Sequence, residues 1–311
     1  MFKIIPAMLV FLTAGMAGLQ ARNYVIFVHG TNTKSHCTPS ASGGDNNDHG
    51  GDGDSAYWVW SGTNWAWTVQ NSIPQNWGPR SIRFVNYDGT QDYRSWSSCG
   101  GQNMLDQQMW WNCTWASGNQ CFIVCHSAGC AVVDYYLDRM NMGNFHIGGV
   151  IQAGSGANGS NLAQVGQFVA GVFGTVGDVI FHLANGMAAS MTYSNSRWAY
   201  SHNSKGIPEI YIAGYNNTGP FWWAYAGNDA DGVIGMDDTC NQDSNHWSMP
   251  WGGATHNCQD YSRWNSAYTW FKNVGLSRQN NGRWAFNDDH GATIGSMFDM
   301  YNWCAWNSFC N

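Results

Sequence analysis

A serine placed between a buried strand and a helix is the feature that most constrains the fold of this chain. Residues Gln120–Cys125 read QCFIVC, a short apolar run that predicts a buried strand. Ala128–Met140 follows as a predicted helix, and Ser127 lies in the turn between the two elements. A buried strand that leads directly into a helix is typical of proteins in which strands and helices alternate.

The rest of the chain repeats this alternation. Further predicted strands are Asn23–Val28, Ser81–Tyr87, Phe145–Ala153, Pro208–Gly214 and Arg283–Phe286. Further predicted helices are Ala56–Trp77, Met104–Cys113, Ser262–Val274 and Ala292–Trp303. The pattern indicates an α/β fold, a mostly parallel sheet flanked by helices, in one domain that spans residues 22–311.

The start of the chain and its cysteines indicate a secreted protein. Residues 1–21 combine a positive Lys3, an apolar stretch and small residues up to Ala21, which is typical of a secretory signal. All ten cysteines follow this segment, and an even count in an exported chain predicts disulfides. Zinc sites use paired C-x-x-C spacings, and the sequence has none. Short separations favour the pairs Cys113–Cys121, Cys240–Cys258 and Cys304–Cys310.

The charge of the chain argues against nucleic-acid partners. Thirteen basic and 20 acidic residues give a formal net charge of −7, so the chain has no electrostatic reason to bind a polyanion. Its 19 tryptophans exceed what a core of this size needs. We therefore expect some of them to line clefts or outer surfaces, where they could contact a lipid or a polymer.

The segment Cys125-His126-Ser127-Ala128-Gly129 is the strongest functional motif. A serine on a tight strand-to-helix bend needs small neighbours two residues away on either side, the G-x-S-x-G pattern. Here Gly129 fits the trailing position and Cys125 replaces the leading glycine. The alternative is a serine that caps the following helix. With its flanking strand and helix, the segment resembles the nucleophile elbow of the α/β-hydrolase superfamily, which implies that Ser127 is a catalytic nucleophile.

A second motif supports the same resemblance. Val25–Val28 is apolar and ends at His29-Gly30-Thr31, which is similar to the oxyanion loop of lipases and esterases in that superfamily. The resemblance implies that the backbone N–H groups of Ala128 and Thr31 form the oxyanion hole. His29 precedes the nucleophile, against the superfamily's chain order of serine, acid and histidine, so we expect it to be structural.

The acid and the base are expected later in the chain. Gly227–Ile234 resembles the Asp-Gly-Val-Val turn of bacterial lipases, which makes Asp231 the acid and Asp229 the second choice. A calcium loop is the alternative there, although no glutamate closes an EF-hand. His290 best fits the order of elements and is the expected base, with His256 and His246 as alternatives.

The predicted function is that of a secreted serine hydrolase that cleaves carboxylic esters. The mechanism needs no metal and no organic cofactor. A lid-like insertion at about Ala157–Ser204, with helical apolar spacing, suggests an ester substrate with an apolar acyl group, although the segment could equally complete the core. Alternatives are a polyester depolymerase, an acyltransferase with the same triad, or a non-catalytic secreted binding protein on the same fold.

Overall fold

The structure is a computed structural model of the chain. The residues that it describes are 23–31, 37, 58–60, 63–64, 80–160, 163, 186–197, 199–207, 209–214, 234, 239, 259–261 and 282–286. Within them, no helix is long and apolar enough to cross a membrane.

A seven-stranded sheet forms the centre of the described part. Its strands are β1 (Asn23–Val28), β4 (Arg80–Phe84), β5 (Gln120–His126), β6 (Ile147–Ala153), β7 (Glu209–Gly214), β8 (Gln259–Tyr261) and β9 (Gly282–Phe286), while β2 (Val59–Trp60) and β3 (Thr63–Asn64) form a separate antiparallel pair. The order across the sheet is β4-β1-β5-β6-β7-β9-β8, and every pairing in it is parallel. Parallel strands need crossover connections, so the sheet requires the helices that the sequence predicts.

The helices follow the strands as crossover connections. Helix α1 (Gly101–Asn112) joins β4 to β5, helix α2 (Ala128–Arg139) joins β5 to β6, and the short α3 (Gly186–Ser190) lies between β6 and β7. Gln102 is fully buried between α1 and α2, and its amide donates hydrogen bonds to the carbonyl oxygens of Tyr93 and Val132. The predicted α/β fold with a mostly parallel sheet and flanking helices is therefore confirmed.

Two parts of the sequence prediction are corrected or extended. The helix expected at Ala56–Trp77 is wrong where the structure describes it, because β2 and β3 form a hairpin there. The mixed spacing of tryptophans in that stretch does not separate a helix from a hairpin. The sequence does not predict strand β8. The helices expected at Ser262–Val274 and Ala292–Trp303 lie outside the described residues, so they stay predictions.

The central strands β1 and β5 are buried on both faces of the sheet, and three disulfides join elements in the described part of the chain. Every residue of β5 after Gln120 is buried, as in β1 after Asn23, which explains their continuous apolar sequences. The predicted pair Cys113–Cys121 is confirmed, with its Cα atoms 5.4 Å apart. The structure adds the pairs Cys37–Cys99 and Cys125–Cys130. The other cysteines, Cys240, Cys258, Cys304 and Cys310, lie outside the described residues.

Helix α2 packs against the end of β1 through a glycine. A Cβ atom added to Gly129 would lie 2.1 Å from the carbonyl oxygen of His29 and 2.4 Å from that of Val28. Both atoms belong to the backbone of a buried strand end, so neither can move away cheaply. The glycine therefore sets how closely the first turn of α2 approaches the loop after β1.

The segment before β7 is fastened to α2 by two buried carboxylates. Asp134 accepts hydrogen bonds from the Tyr200 hydroxyl at 2.8 Å and from His202 Nδ1 at 2.5 Å. One turn further on, Asp138 accepts a hydrogen bond from the Asn203 backbone N–H at 3.1 Å. These contacts join residues more than 60 positions apart and hold the C-terminal end of the predicted lid-like insertion on the helix that follows Ser127.

The close approach at Gly129 predicts a large loss of stability for Gly129→Ala. We expect a loss of roughly 3 kcal/mol in the free energy of unfolding, since the added methyl group has to displace backbone. Gly143→Ala is the matched control, because its Cβ would meet only a side-chain oxygen of Asn141 at 3.2 Å. Urea unfolding of both variants measures the difference, and equal stabilities would contradict this account of the packing.

The pair of His202 and Asp134 predicts a stability that depends on pH. Burial lowers the pKa of His202, but its hydrogen bond to Asp134 and the carboxylate charge outweigh burial and raise the pKa above 6.5 overall. The stabilisation is therefore complete below pH 6.5, and it is lost as the pH rises through the folded-state pKa. His202→Gln should cost more at pH 5.5 than at pH 9 in urea unfolding. A cost that does not change with pH would contradict the charged pair.

Candidate active site

Ser127 adopts a strained conformation at the junction of β5 and α2. Its φ of 57° and ψ of −133° lie in a region that residues with a side chain rarely occupy. Such a backbone costs on the order of 1–3 kcal/mol and persists only where its surroundings enforce it. The sequence predicted a sharp bend at this residue, and the structure contains one.

Three backbone hydrogen bonds enforce the bend. The Ser127 N–H donates to the carbonyl oxygen of Ala153 at the end of β6, at 3.0 Å. The Ser127 carbonyl oxygen accepts from the N–H groups of Cys130 and Gly156, each at 3.1 Å. The turn is thus attached to its own helix and to the loop after the neighbouring strand.

The structure excludes the capping alternative for this serine. A capping residue accepts a hydrogen bond through its side-chain oxygen from an N–H of the first helical turn. Ser127 precedes helix α2 but makes no such side-chain bond. Its backbone also differs from the extended conformation of an N-cap. The strain is therefore not explained by stabilisation of the helix.

The position of Ser127 in the sheet is where α/β proteins bind ligands. From β1 the chain crosses to β4 on one side, and from β5 it crosses to β6 on the other. The carboxyl ends of β1 and β5 are adjacent, since Val28 pairs in register with Cys125. In open α/β sheets, the crevice at such a reversal of strand order is the usual ligand site.

The loop His29-Gly30-Thr31 lies beside this turn and is held rigidly. The Tyr87 hydroxyl donates a hydrogen bond to the His29 carbonyl oxygen at 2.5 Å, and the two rings stack with centroids 4.2 Å apart. Thr31 donates its hydroxyl proton to the carbonyl oxygen of Gly89 at 3.1 Å. Because the carbonyl of His29 also faces Gly129, the loop lies against the first turn of α2.

His29 itself is unsuited to act as the catalytic base. It is 1% exposed, and burial lowers its pKa to about 4, against weaker opposing effects of its hydrogen bonds and of Asp88. A base that accepts the serine proton becomes a cation in the transition state, which this environment disfavours. Its Nδ1 lies 2.9 Å from the carbonyl oxygen of Gly30, within its own loop. A structural role agrees with the expectation from chain order.

A disulfide brackets the serine on both sides. Cys125, two residues before Ser127, is paired with Cys130, three residues after it, and both cysteines are fully buried. The bond therefore joins the end of β5 to the first turn of α2. Sequence reasoning noted only a small residue at the leading position. The separation of five residues was the signal that could have suggested the pair.

The remaining predicted site residues are not in the described part of the chain. These are Asp231 and His290, with the alternatives Asp229, His256 and His246. Of the five predicted catalytic and oxyanion-hole positions, the structure describes three, namely Ser127, Ala128 and Thr31. Among the residues that it describes, no three His, Cys, Asp or Glu side chains form a group suited to a metal ion.

The chain is similar to solved structures but matches no family model and no curated protein. A lipase from Bacillus licheniformis in its mature form is 17% identical, with 88% of this chain and 87% of that chain covered and a TM-score of 0.46. A metagenomic carboxyl esterase is 13% identical over 91% and 76% of the two chains, with a TM-score of 0.48. Lipase 1 from Pelosinus fermentans is 10% identical over 92% and 98%, with a TM-score of 0.49.

The fold is assigned from the chain's own features. They are the parallel sheet, the strained serine between β5 and α2, and the His-Gly loop at the end of the adjacent strand. Together they give this chain the α/β-hydrolase fold.

Proposed function

We propose that this protein is a secreted serine hydrolase that cleaves carboxylic esters, with Ser127 as its nucleophile. One observation carries the proposal: Ser127 has a strained, left-handed φ at the reversal of strand order and makes no capping hydrogen bond. Backbone strain of roughly 1–3 kcal/mol is found at functional sites more often than elsewhere in proteins. A nucleophile elbow supplies that function, because the bend presents the hydroxyl above the edge of the sheet.

The proposed mechanism is acyl transfer through Ser127. The Ser127 oxygen attacks the ester carbonyl while His290 accepts its proton, and Asp231 orients the imidazole of His290. The resulting oxyanion accepts hydrogen bonds from the N–H groups of Ala128 and Thr31. His290 returns the proton to the leaving alcohol, and a water activated by the same histidine releases the acid and restores Ser127.

Two described features support the oxyanion hole in this scheme. The N–H of Ala128 belongs to the first turn of α2, where an N–H group has no carbonyl four residues earlier within the helix, so the group points out of the N-terminus of α2. Thr31 is the last residue of the loop His29-Gly30-Thr31, which hydrogen bonds to Tyr87 and Gly89 hold in place. Donors that are fixed before the reaction stabilise a developing negative charge without paying for reorganisation.

The proposed substrate is an ester with an apolar acyl group. The insertion at about Ala157–Ser204 lies between β6 and β7, and its apolar sequence suits a lid over an acyl pocket. The described end of this insertion is fastened to α2 through Asp134 and Asp138.

Replacing the proposed nucleophile is the first test. Ser127→Ala should abolish labelling by a fluorophosphonate probe and reduce hydrolysis of p-nitrophenyl butyrate by about 10⁵–10⁶-fold. Ser155→Ala is the matched control, because Ser155 is also buried and its hydroxyl already donates to Gln152 at 2.9 Å. The control should keep its labelling. If neither the wild type nor the control is labelled, the chain is a binding protein on this fold and the proposed reaction is wrong.

Removing the disulfide around Ser127 tests the positioning of the nucleophile. Cys125→Ala/Cys130→Ala should lower kcat by at least about tenfold with little change in KM, since small displacements of a reacting group have large kinetic effects. The matched control is Cys113→Ala/Cys121→Ala, which removes another buried, short-range disulfide away from the serine. Each double variant should lose about 2 kcal/mol of stability. Equal losses of kcat in the two variants would show that the effect is general destabilisation.

A further inference from the structure

A cleft of about 940 Å³ lies at the end of the sheet opposite Ser127. It is lined by the starts of β5 and β6, by the loop between α2 and β6, and by residues that precede β7. Its volume lies within the range of ordinary ligand sites. Of the residues proposed for ester hydrolysis, the three that the structure describes, Ser127, Ala128 and Thr31, do not line it.

The length of β5 separates this cleft from the proposed active site. Gln120 lines the cleft, and β5 runs for seven residues from there to His126. At about 3.3 Å per residue, the strand spans roughly 20 Å. A short acyl group of an ester held at Ser127 therefore does not reach the cleft, which would need a ligand, or another part of the substrate, of its own.

Exposed tryptophans cluster around the cleft. Trp115 lines it, is 56% exposed, and stacks one face of its indole on the His146 imidazole with centroids 4.0 Å apart. Trp110 is 51% exposed and packs edge-on against Phe145, another lining residue, at 5.1 Å. Trp111 beside it is 41% exposed. Indoles that are ordered by such contacts lose little conformational freedom when a ligand binds.

The chemistry of the lining selects against charged partners. Among the lining residues that the structure describes, Lys205 is the only one with a permanent charge. Burial lowers the pKa of His146, so its imidazole is neutral at pH 7. The chain as a whole carries −7, which opposes anionic polymers and anionic membranes. An uncharged ligand that presents flat apolar faces and many hydroxyl groups fits these features.

We propose that this cleft binds a neutral polysaccharide built of pyranose units with equatorial hydroxyl groups. Such a ring exposes axial C–H bonds on its faces, and these carry the partial positive charge that the negative face of an indole attracts. Trp115 provides the stacking platform, while the Gln120 amide and the Lys205 ammonium group line the same cleft as hydrogen-bond donors. In the described part of the chain, neither of these two side chains donates a hydrogen bond to the protein. The site would keep the enzyme on a polymer while Ser127 acts on esters elsewhere on it.

Affinity electrophoresis through gels that contain neutral polysaccharide tests the proposal. The probes are hydroxyethyl cellulose, mixed-linkage β-glucan and neutral arabinoxylan. The wild type should be retarded by at least one of them. The Trp115→Ala variant should have a dissociation constant for that polysaccharide at least tenfold higher than that of the wild type. Trp96→Ala is the matched control, because Trp96 is 50% exposed but does not line the cleft. It should migrate like the wild type.

The same variants separate this site from the proposed reaction. Trp115→Ala should hydrolyse p-nitrophenyl butyrate as the wild type does, and Ser127→Ala should keep its retardation by polysaccharide. The proposal is overturned if none of the three polymers retards the wild type, or if Trp115→Ala and Trp96→Ala bind alike. Loss of binding to phosphatidylcholine vesicles in Trp115→Ala, without any retardation by polysaccharide, would assign the tryptophans to a lipid surface instead.

Discussion

The left-handed φ of Ser127 is the constraint on which the site depends. A bend of this kind is unfavourable by itself, so it exists because the carbonyl of Ala153 and the N–H groups of Cys130 and Gly156 bond to it. These partners come from the sheet, the helix and the loop after the next strand. The sheet must therefore be complete from β5 to β6 before the turn is stable, and the hydroxyl that we propose as the nucleophile is positioned by the core of the described part.

The same packing fixes the loop on the other side of the turn. Gly129 lets the helix approach the carbonyl oxygens of Val28 and His29, and Tyr87 also holds the His29 residue through its hydroxyl and its ring. The Cys125–Cys130 bond adds a covalent link across the bend. The two backbone N–H groups assigned to the oxyanion hole therefore belong to segments that contact each other, although 97 positions separate Thr31 from Ala128 in the chain.

The sequence predicts the elements of this fold better than it predicts their contacts. The strand at Asn23–Val28, the strand before Ser127 and the helix after it are predicted closely, because their apolar runs are continuous and bounded by glycine or by the motif itself. The hairpin of β2 and β3 is missed, since aromatic residues there suit either structure. The pair of Asp134 and His202 is 68 positions apart, and nothing local in the sequence marks it. The cleft is also beyond local patterns, because it is formed by the starts of strands that are distant in sequence.

The burial of His29 has a consequence for the behaviour of the protein in acid. The buried imidazole of His29 has a pKa of about 4, whereas the unfolded chain takes up the same proton near pH 6.5, so acidification between these values lowers the stability of the fold that encloses His29. The pKa of His202 shifts the other way, because the carboxylate of Asp134 stabilises the protonated imidazole. The stability that these two histidines contribute therefore falls in both directions. Acidification weakens the contribution of His29, and alkaline conditions weaken that of His202.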